Sequence, residues 1–114
     1  MSNLDLARVA DSRRQAEAIS RLRFSVWVGD TDQQSRAHAE RLHASSTNPE
    51  RTVYLVCNVK QRTLEVVTGA NARQTLTDDE CAMATNSMRG LLAEGQITEA
   101  LVLGLEHLSS YAMD

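Results

Sequence analysis

The chain has 114 residues, a length that suits one globular domain and is too short for two. Its residues are 42% apolar and 24% charged, which is ordinary for a globular protein. A net charge of -3 with scattered Lys and Arg residues argues against a nucleic-acid-binding surface, which needs clustered positive charge. No apolar run approaches the roughly 20 residues of a membrane span, and the stretch MSNLDLARVADSRR has no apolar signal core, so we expect a cytoplasmic protein without membrane contact.

The first two predicted elements are a surface helix and a strand. Apolar residues recur at incomplete helical spacing from about Leu6 to Arg21, and Arg13 interrupts their stripe. In the stretch from Arg23 to Val28, three apolar residues alternate with others and so face one side of a strand, namely Phe24, Val26 and Val28. Trp27 then lies on the opposite face of this strand.

A short helix and the most hydrophobic strand follow. The helix is predicted from about Ser35 to Ala44, with either Asp32 or Ser35 as its N-terminal cap. Pro49 marks a loop before the strand from Thr52 to Val59. Because this strand is apolar on both faces, we expect it at the centre of the sheet, covered on both sides.

The third strand is predicted from Thr63 to Thr68. Only the polar turn Lys60–Arg62 separates it from the preceding strand, and this connection is too short for a parallel crossover. The two strands should therefore form an antiparallel hairpin. The connector from Ala70 to Thr77 is expected to contain a helical turn.

Two helices complete the chain. Thr77 and Glu80 match the capping box T-x-x-E, which predicts a helix from there to about Leu92. Glu94-Gly95 breaks this helix, and a last amphipathic helix runs from about Thr98 to Ala112. Gly104 lies in the middle of the last helix, where it costs about 1 kcal/mol relative to Ala, and close packing on a neighbouring helix would explain its presence.

The order of elements predicts an α/β fold in a single domain that covers residues 1–114. A parallel βαβ unit and an antiparallel hairpin would make a small mixed β-sheet that is sandwiched by helices. The strand order beyond the hairpin is not determined by these patterns.

Several stretches of the chain resemble a known family. They are RFSVWVGD, the Ala-rich AHAERLHA, the segment RTVYLVCNVKQRTLEVVTGANARQTLTDDE, and the closing SMRGLLAEGQITEALVLGLEHLSSY. Together, over about Leu6 to Ala112, they resemble the TPM domain and, more closely, a family of short actinobacterial proteins of unknown function with a TPM-like fold. The resemblance rests on the order of elements and on the strings V-x-V-G-D, V-T-G and L-T-D-D.

The resemblance implies an α/β/α sandwich. Members of the TPM family are associated with divalent-cation binding through aspartates, with acid phosphatase activity, and with assembly or repair of photosynthetic complexes. Many members are exported or membrane-anchored, whereas this sequence shows neither a signal segment nor a span. It also has Glu94-Gly95-Gln96 where members often carry a glycine–aspartate pair.

Two acidic segments are the candidate metal ligands. Asp30 and Asp32 follow the first strand, and Asp78 and Asp79 precede Glu80 at the start of a helix. Carboxylates of this kind can ligate Mg²⁺ or Ca²⁺. The alternative is that Asp32 caps a helix, that Asp30 makes a turn, and that the second group stabilises a helix N-terminus. Because the hairpin reverses the chain, the two groups meet only if the connector after the third strand crosses back.

Other residues have simpler interpretations. Cys57 and Cys81 are predicted to be buried reduced thiols, since no C-x-x-C motif is present. His38, His43 and His107 do not have the spacing of a zinc helix and are predicted on the surface. Trp27 is either covered by a helix or, if its strand face is partly open, an anchor for a protein partner.

Three functional hypotheses follow. The preferred one is a non-catalytic binding or accessory module with a weak site for Mg²⁺ or Ca²⁺ and an unknown protein partner. The second is a metal-dependent phosphomonoester hydrolase in which the four aspartates hold Mg²⁺, although no nucleophile or general base stands out. The third is self-association through the last helix or an exposed sheet edge, so that the chain is a monomer or a weak homodimer.

Overall fold

The sheet has its most hydrophobic strand at the centre. In the computed structural model, which describes residues 4–113, the strands are β1 (Arg23–Gly29), β2 (Thr52–Asn58) and β3 (Thr63–Thr68). β1 pairs with β2 in parallel and β2 pairs with β3 antiparallel, which confirms the mixed sheet and the hairpin. Two parts of the predicted domain lie outside the described residues. They are residues 1–3, which begin the stretch that lacks a signal core, and residue 114.

The helices also lie where the sequence predicts them, with boundaries that differ by about one residue. They are α1 (Leu6–Ser20), α2 (Ser35–Ala44), α3 (Asp78–Ala93) and α4 (Ile97–Ala112), with short 3-10 turns at Pro49–Arg51 and Ala72–Gln74. The second of these turns is the helical turn expected in the connector. No helix in the described part of the chain combines the length and the apolar character needed to cross a bilayer.

Helices cover both faces of the sheet. One face carries Phe24, Leu55 and Val66, and it packs against α1, α3 and α4 to form the main core. The other face carries Val56 and Val67, and it packs against α2. The sheet is therefore sandwiched as predicted, with one thick layer and one thin layer.

α1 and α4 run side by side in the same direction. At their N-terminal ends the Asp5 N–H donates to Thr98 Oγ1 over 2.8 Å, and Arg8 pairs with Glu99 over 2.5 Å. This hydrogen bond from Arg8 lowers the pKa of the exposed Glu99 carboxyl. At their C-terminal ends Ser20 and Ala112 line one cavity of about 390 Å³.

α3 and α4 approach each other closely at Gly104. A Cβ atom added at Gly104 would lie 2.1 Å from the sulfur of Met88, which is fully buried. The predicted reason for this glycine is thus confirmed. Gly95, between the two helices, has a φ of 78°, which is the left-handed conformation that ends many helices.

The predicted cap of α2 is wrong. Its N-cap residue is Gln34, which makes no side-chain capping hydrogen bond. Asp32 instead forms an ion pair with Lys60 over 2.6 Å, and the Ser35 hydroxyl shares a hydrogen bond with Thr63 Oγ1 over 2.7 Å. The two predicted capping side chains, Asp32 and Ser35, therefore bind residues of the β2–β3 hairpin and do not cap α2.

Candidate functional site

β1 lies at the edge of the sheet, and alternate residues of it point their backbone groups away from β2. The carbonyl of Gly29 accepts a hydrogen bond from the Val59 N–H over 2.9 Å, so the odd-numbered residues of β1 are those that pair with β2. The N–H and C=O groups of Phe24, Val26 and Val28 consequently point to the free edge.

The first of these three residues is already paired by side chains of α1. The Phe24 N–H donates to Glu17 Oε2 over 2.9 Å, and Arg13 Nη1 donates to the Phe24 carbonyl over 3.5 Å. Arg13 and Glu17 also pair with each other over 3.3 Å. The ion pair thus takes the place of a neighbouring strand at Phe24 and blunts that part of the edge.

The other two outward-facing residues, Val26 and Val28, have no such side-chain partners. Within residues 4–113, no strand lies beside Val26 and Val28 on the free side, and no side chain binds their outward backbone groups. Both residues are half-buried. The edge of β1 therefore offers two N–H donors and two C=O acceptors in the geometry of a strand.

A groove of about 530 Å³ runs beside this unguarded segment. On the α1 side its walls are Leu6, Val9, Ala10 and Arg13, and on the other side they include Trp27 and Tyr54. Leu6, on the α1 side, is 66% exposed. We call this feature the edge groove: the free edge of β1 from Phe24 to Val28 with these flanking side chains.

Trp27, the predicted partner anchor, is partly covered and partly open. Its ring packs edge-on against the His38 ring at 4.6 Å between centroids, and α2 covers it from that side. A Cβ atom at Gly29 would lie 2.8 Å from the ring, so the glycine leaves the space that the indole occupies. The other side of Trp27 lines the edge groove, and its role in partner binding stays a prediction.

On the opposite edge of the sheet, arginine side chains bind two of the outward carbonyls of β3. Arg36 donates to the Val66 carbonyl over 3.1 Å, and Arg73 donates to the Thr68 carbonyl over 2.6 Å. Both carbonyls belong to residues of β3 that point away from β2. Within residues 4–113 each edge keeps open groups: on β3 these are both groups of Leu64 and the N–H groups of Val66 and Thr68, whereas β1 keeps two successive outward residues with both backbone groups open.

The two acidic segments lie toward opposite ends of α3. Asp30 and Asp32 follow β1, next to the carboxyl end of β2 at Asn58. α3 has its C-terminal end near that side, where Arg62 donates to the Ala93 carbonyl over 2.9 Å. Since α3 has 16 residues, its first residue lies about 24 Å away along the helix axis. No group of three or more His, Cys, Asp or Glu side chains within residues 4–113 is arranged to hold a metal ion.

Asp30 and Asp32 differ in their partners. Asp32 pairs with Lys60, whereas Asp30 is exposed and has no ion pair within the described part of the chain. Asn58, which is buried, holds this loop by donating from Nδ2 to the Thr31 carbonyl over 2.9 Å. Metal binding by these two carboxylates stays a prediction.

Asp78 and Asp79 occupy the first turn of α3, beside a complete capping box. The Thr77 hydroxyl accepts from the Glu80 N–H over 3.2 Å, and the Thr77 N–H donates to Glu80 Oε1 over 2.9 Å. The predicted capping box is confirmed. Acidic side chains at this end of a helix interact favourably with its positive dipole.

The cysteines and one histidine are buried. Cys57 and Cys81 are free thiols, as predicted, and burial is the main cause that raises the pKa of each to about 11. The surface prediction is wrong for His38, which is 8% exposed beneath Trp27. Its Nδ1 has no hydrogen-bond partner in the described structure.

Sequence reasoning did not identify the edge groove as a site. The predicted central position of β2 leaves β1 at an edge of a three-stranded sheet, but which backbone groups of that edge stay open depends on contacts between distant parts of the chain. One signal was present, since Arg13 interrupts the apolar stripe of α1. A charged residue on the buried side of a helix indicates a polar partner, and here that partner is the Phe24 carbonyl.

Comparisons with known proteins give a family and a fold. Residues 1–109 match the family model described as "Domain of unknown function (DUF5130)". Two uncharacterized proteins of Mycobacterium tuberculosis, from two strains, are each 21% identical over 106 residues, which is 93% of this chain and 64% of theirs. The chain thus spans less than two thirds of the length of these relatives.

Two solution structures share the fold. The BA42 protein from the psychrophilic bacterium Bizionia argentinensis matches with a TM-score of 0.80 at 18% identity, over 98% of this chain and 86% of that one. The N-terminal domain of a protein from P. gingivalis matches with a TM-score of 0.74 at 18% identity, over 96% of this chain and 76% of that one. At this identity the likeness shows the fold alone.

Proposed function

We propose that this chain, which belongs to the DUF5130 family of domains of unknown function, is a non-catalytic binding module. Its geometry suits an extended polypeptide segment bound at the edge groove. The observation that carries this proposal is the pair Val26 and Val28, whose outward backbone groups have no partner within residues 4–113. An added strand would bind these four groups, and its side chains would contact the apolar walls of the groove.

We include in the proposal several narrower hypotheses from the sequence. We propose a TPM-like relationship, which the order of elements supports, and a cytoplasmic location. A weak site for Mg²⁺ or Ca²⁺ at Asp30 and Asp32 also belongs to the proposal. The phosphomonoester hydrolase is less favoured, because it needs Asp78 and Asp79 at the same metal and these residues lie at the far end of α3.

Amide hydrogen exchange tests the proposed function with an internal control. The probe is the designed peptide Gly-Ser-Val-Thr-Val-Ser, which favours an extended conformation. We expect exchange at Val26 and Val28 to slow when the peptide is added until its chemical-shift changes saturate. Exchange at Ser25 and Trp27 should stay as it is, because the register pairs these N–H groups with β2.

Two results would contradict the proposal. One is the absence of any shift along β1 with millimolar peptide. The other is a saturable interaction that leaves exchange at Val26 and Val28 unchanged, because the peptide would then bind somewhere other than the strand edge. The variant Trp27→Ala tests the contribution of side-chain contacts. We expect it to weaken peptide binding several-fold if the indole forms one wall of the site.

A further inference from the structure

Arg13, which is paired with Glu17, lies at one end of the edge groove, and a carboxylate follows β1 beyond the groove's other end. Among the residues that line it, Arg13 carries the charge, and it lies beside Phe24 near the start of β1. Asp30 follows the other end of β1, is exposed, and has no ion pair among residues 4–113. Charge complementarity can therefore select the direction in which a strand binds.

Arg13 has hydrogen-bond donors that its two contacts do not use. Its hydrogen bonds to Glu17 and to the Phe24 carbonyl both use Nη1. Nε and Nη2 make no hydrogen bond with the described residues, and the side chain is 34% exposed. A guanidinium with one side free is suited to a carboxylate, which it can bind through two parallel hydrogen bonds.

The ion pair also closes the hydrogen-bonding edge at Phe24. Both backbone groups of Phe24 are occupied by Arg13 and Glu17, so an added strand has no further partner on β1 beyond Val26. A strand that runs antiparallel to β1 would reach this point with its C-terminal end. A strand that runs parallel would bring a positively charged N-terminus to Arg13 instead.

We propose, on the basis of the proposed function, that the segment bound at the edge groove is the C-terminus of a partner polypeptide, bound antiparallel to β1 with its terminal carboxylate at Arg13. Two apolar side chains of this segment, two residues apart, lie opposite Val26 and Val28 against the wall formed by α1. The side chain between them lies on the face of Trp27. An antiparallel register places the N–H groups of the two apolar residues toward β1.

A second copy of the chain is a poorer occupant. Arg13 and Glu17 reach the outward groups of Phe24, so α1 lies alongside the free edge. Two copies that paired through β1 would each bring an α1 to the same edge. Paired strands are about 4.8 Å apart, whereas packed helices need about 8–10 Å between their axes.

The first test compares the fluorescein-labelled probe Gly-Ser-Val-Thr-Val-Ser as a free acid and as a C-terminal amide. We expect the free acid to bind about tenfold more tightly, as a charge-assisted contact would give. Arg13→Gln should remove this ratio, so that acid and amide bind equally. Arg14→Gln is the matched control on the same helix, because Arg14 is exposed and pairs with Asp11, and it should leave the ratio unchanged.

The second test reads the strand direction by N-methylation. Methyl groups on the two valine nitrogens should abolish binding, while methyl groups on the nitrogens of threonine and the final serine should be tolerated. The reverse pattern would mean a parallel strand and would overturn the inference, because in parallel pairing the other set of N–H groups faces β1.

Failure of the inference and failure of the proposed function look different. Equal affinity of acid and amide, with exchange at Val26 and Val28 still slowed, overturns the terminal carboxylate and leaves strand addition standing. An amide probe with aspartate in place of the final serine that binds as tightly as the free acid would assign an internal acidic residue instead. A concentration-dependent dimer that slows exchange at Val26 and Val28 without peptide would make a second copy the occupant.

Discussion

Gly104 shows how one missing methyl group sets the distance between two helices. An alanine there gains about 1 kcal/mol of intrinsic helix propensity, but its Cβ would lie 2.1 Å from the buried Met88 sulfur and 3.0 Å from Met88 Cγ. Overpacking of this kind costs about 1–3 kcal/mol net. The steric term should therefore exceed the gain in propensity.

We expect Gly104→Ala to lower the free energy of unfolding by about 1–2 kcal/mol in urea titrations. Gly90→Ala is the matched control: Gly90 is exposed on α3 with nothing within 4 Å of an added Cβ, so this change should stabilise by about 0.5–1 kcal/mol. In a Met88→Ala background the cost of Gly104→Ala should vanish. An equal cost in both backgrounds would show that Met88 is not the cause.

At the level of single elements, α1 both packs on α4 and protects the edge of β1. Glu17 accepts from the Phe24 N–H, and Phe24 is 1% exposed, so water cannot easily replace this acceptor. The ion pair between Arg13 and Glu17 thus belongs to the sheet as much as to the helix.

Glu17→Ala should lower the free energy of unfolding by about 1–2 kcal/mol, because it leaves a buried N–H without a partner. Asp11→Ala, which removes an exposed ion pair from the same helix, should cost less than about 0.5 kcal/mol. Chemical denaturation of both variants gives the comparison. Equal, small effects would mean that the Phe24 N–H finds water when Glu17 is removed.

The elements themselves were predictable from the sequence, and the contacts between them were much less so. Periodicity, the capping box at Thr77 and the break at Gly95 are local features, and the structure confirms each. The cap of α2 was predicted wrongly because Lys60, distant in sequence, attracts Asp32. The sequence predicts His38 on the surface, whereas its burial depends on Trp27 from another element. The central position predicted for β2 implies that β1 lies at an edge of the three-stranded sheet, which the structure confirms, whereas the pairing of Phe24 by α1 depends on contacts that no local pattern encodes.

At the scale of the whole molecule, the length of α3 separates the two acidic segments. The Asp30–Asp32 loop lies by the carboxyl ends of β1 and β2, whereas Asp78 and Asp79 lie at the start of a 16-residue helix whose other end contacts the hairpin turn. Two separated pairs of carboxylates offer too few ligands for a tight divalent-cation site, which takes six to eight oxygens for Ca²⁺.

A Mn²⁺ titration followed by amide NMR checks this separation. We expect broadening at Gly29–Asp32 only at roughly millimolar Mn²⁺, lost in Asp30→Asn and not shared with Asp78–Glu80. Broadening of both loops at one low concentration would restore the shared site and the hydrolase hypothesis. Turnover of a generic phosphate ester with Mg²⁺ that is abolished by Asp30→Asn would do the same.

The parallel packing of α1 and α4 has a mechanical consequence. The Asp5 end of α1 lies beside the start of α4, and the Met113 end of α4 lies beside the end of α1. The described chain therefore leaves the domain at opposite ends, about 24 Å apart along a 16-residue helix. Tension applied through residues 5 and 113 would slide the two helices past each other and break their contacts together, so the domain should resist pulling better than one that unzips contact by contact.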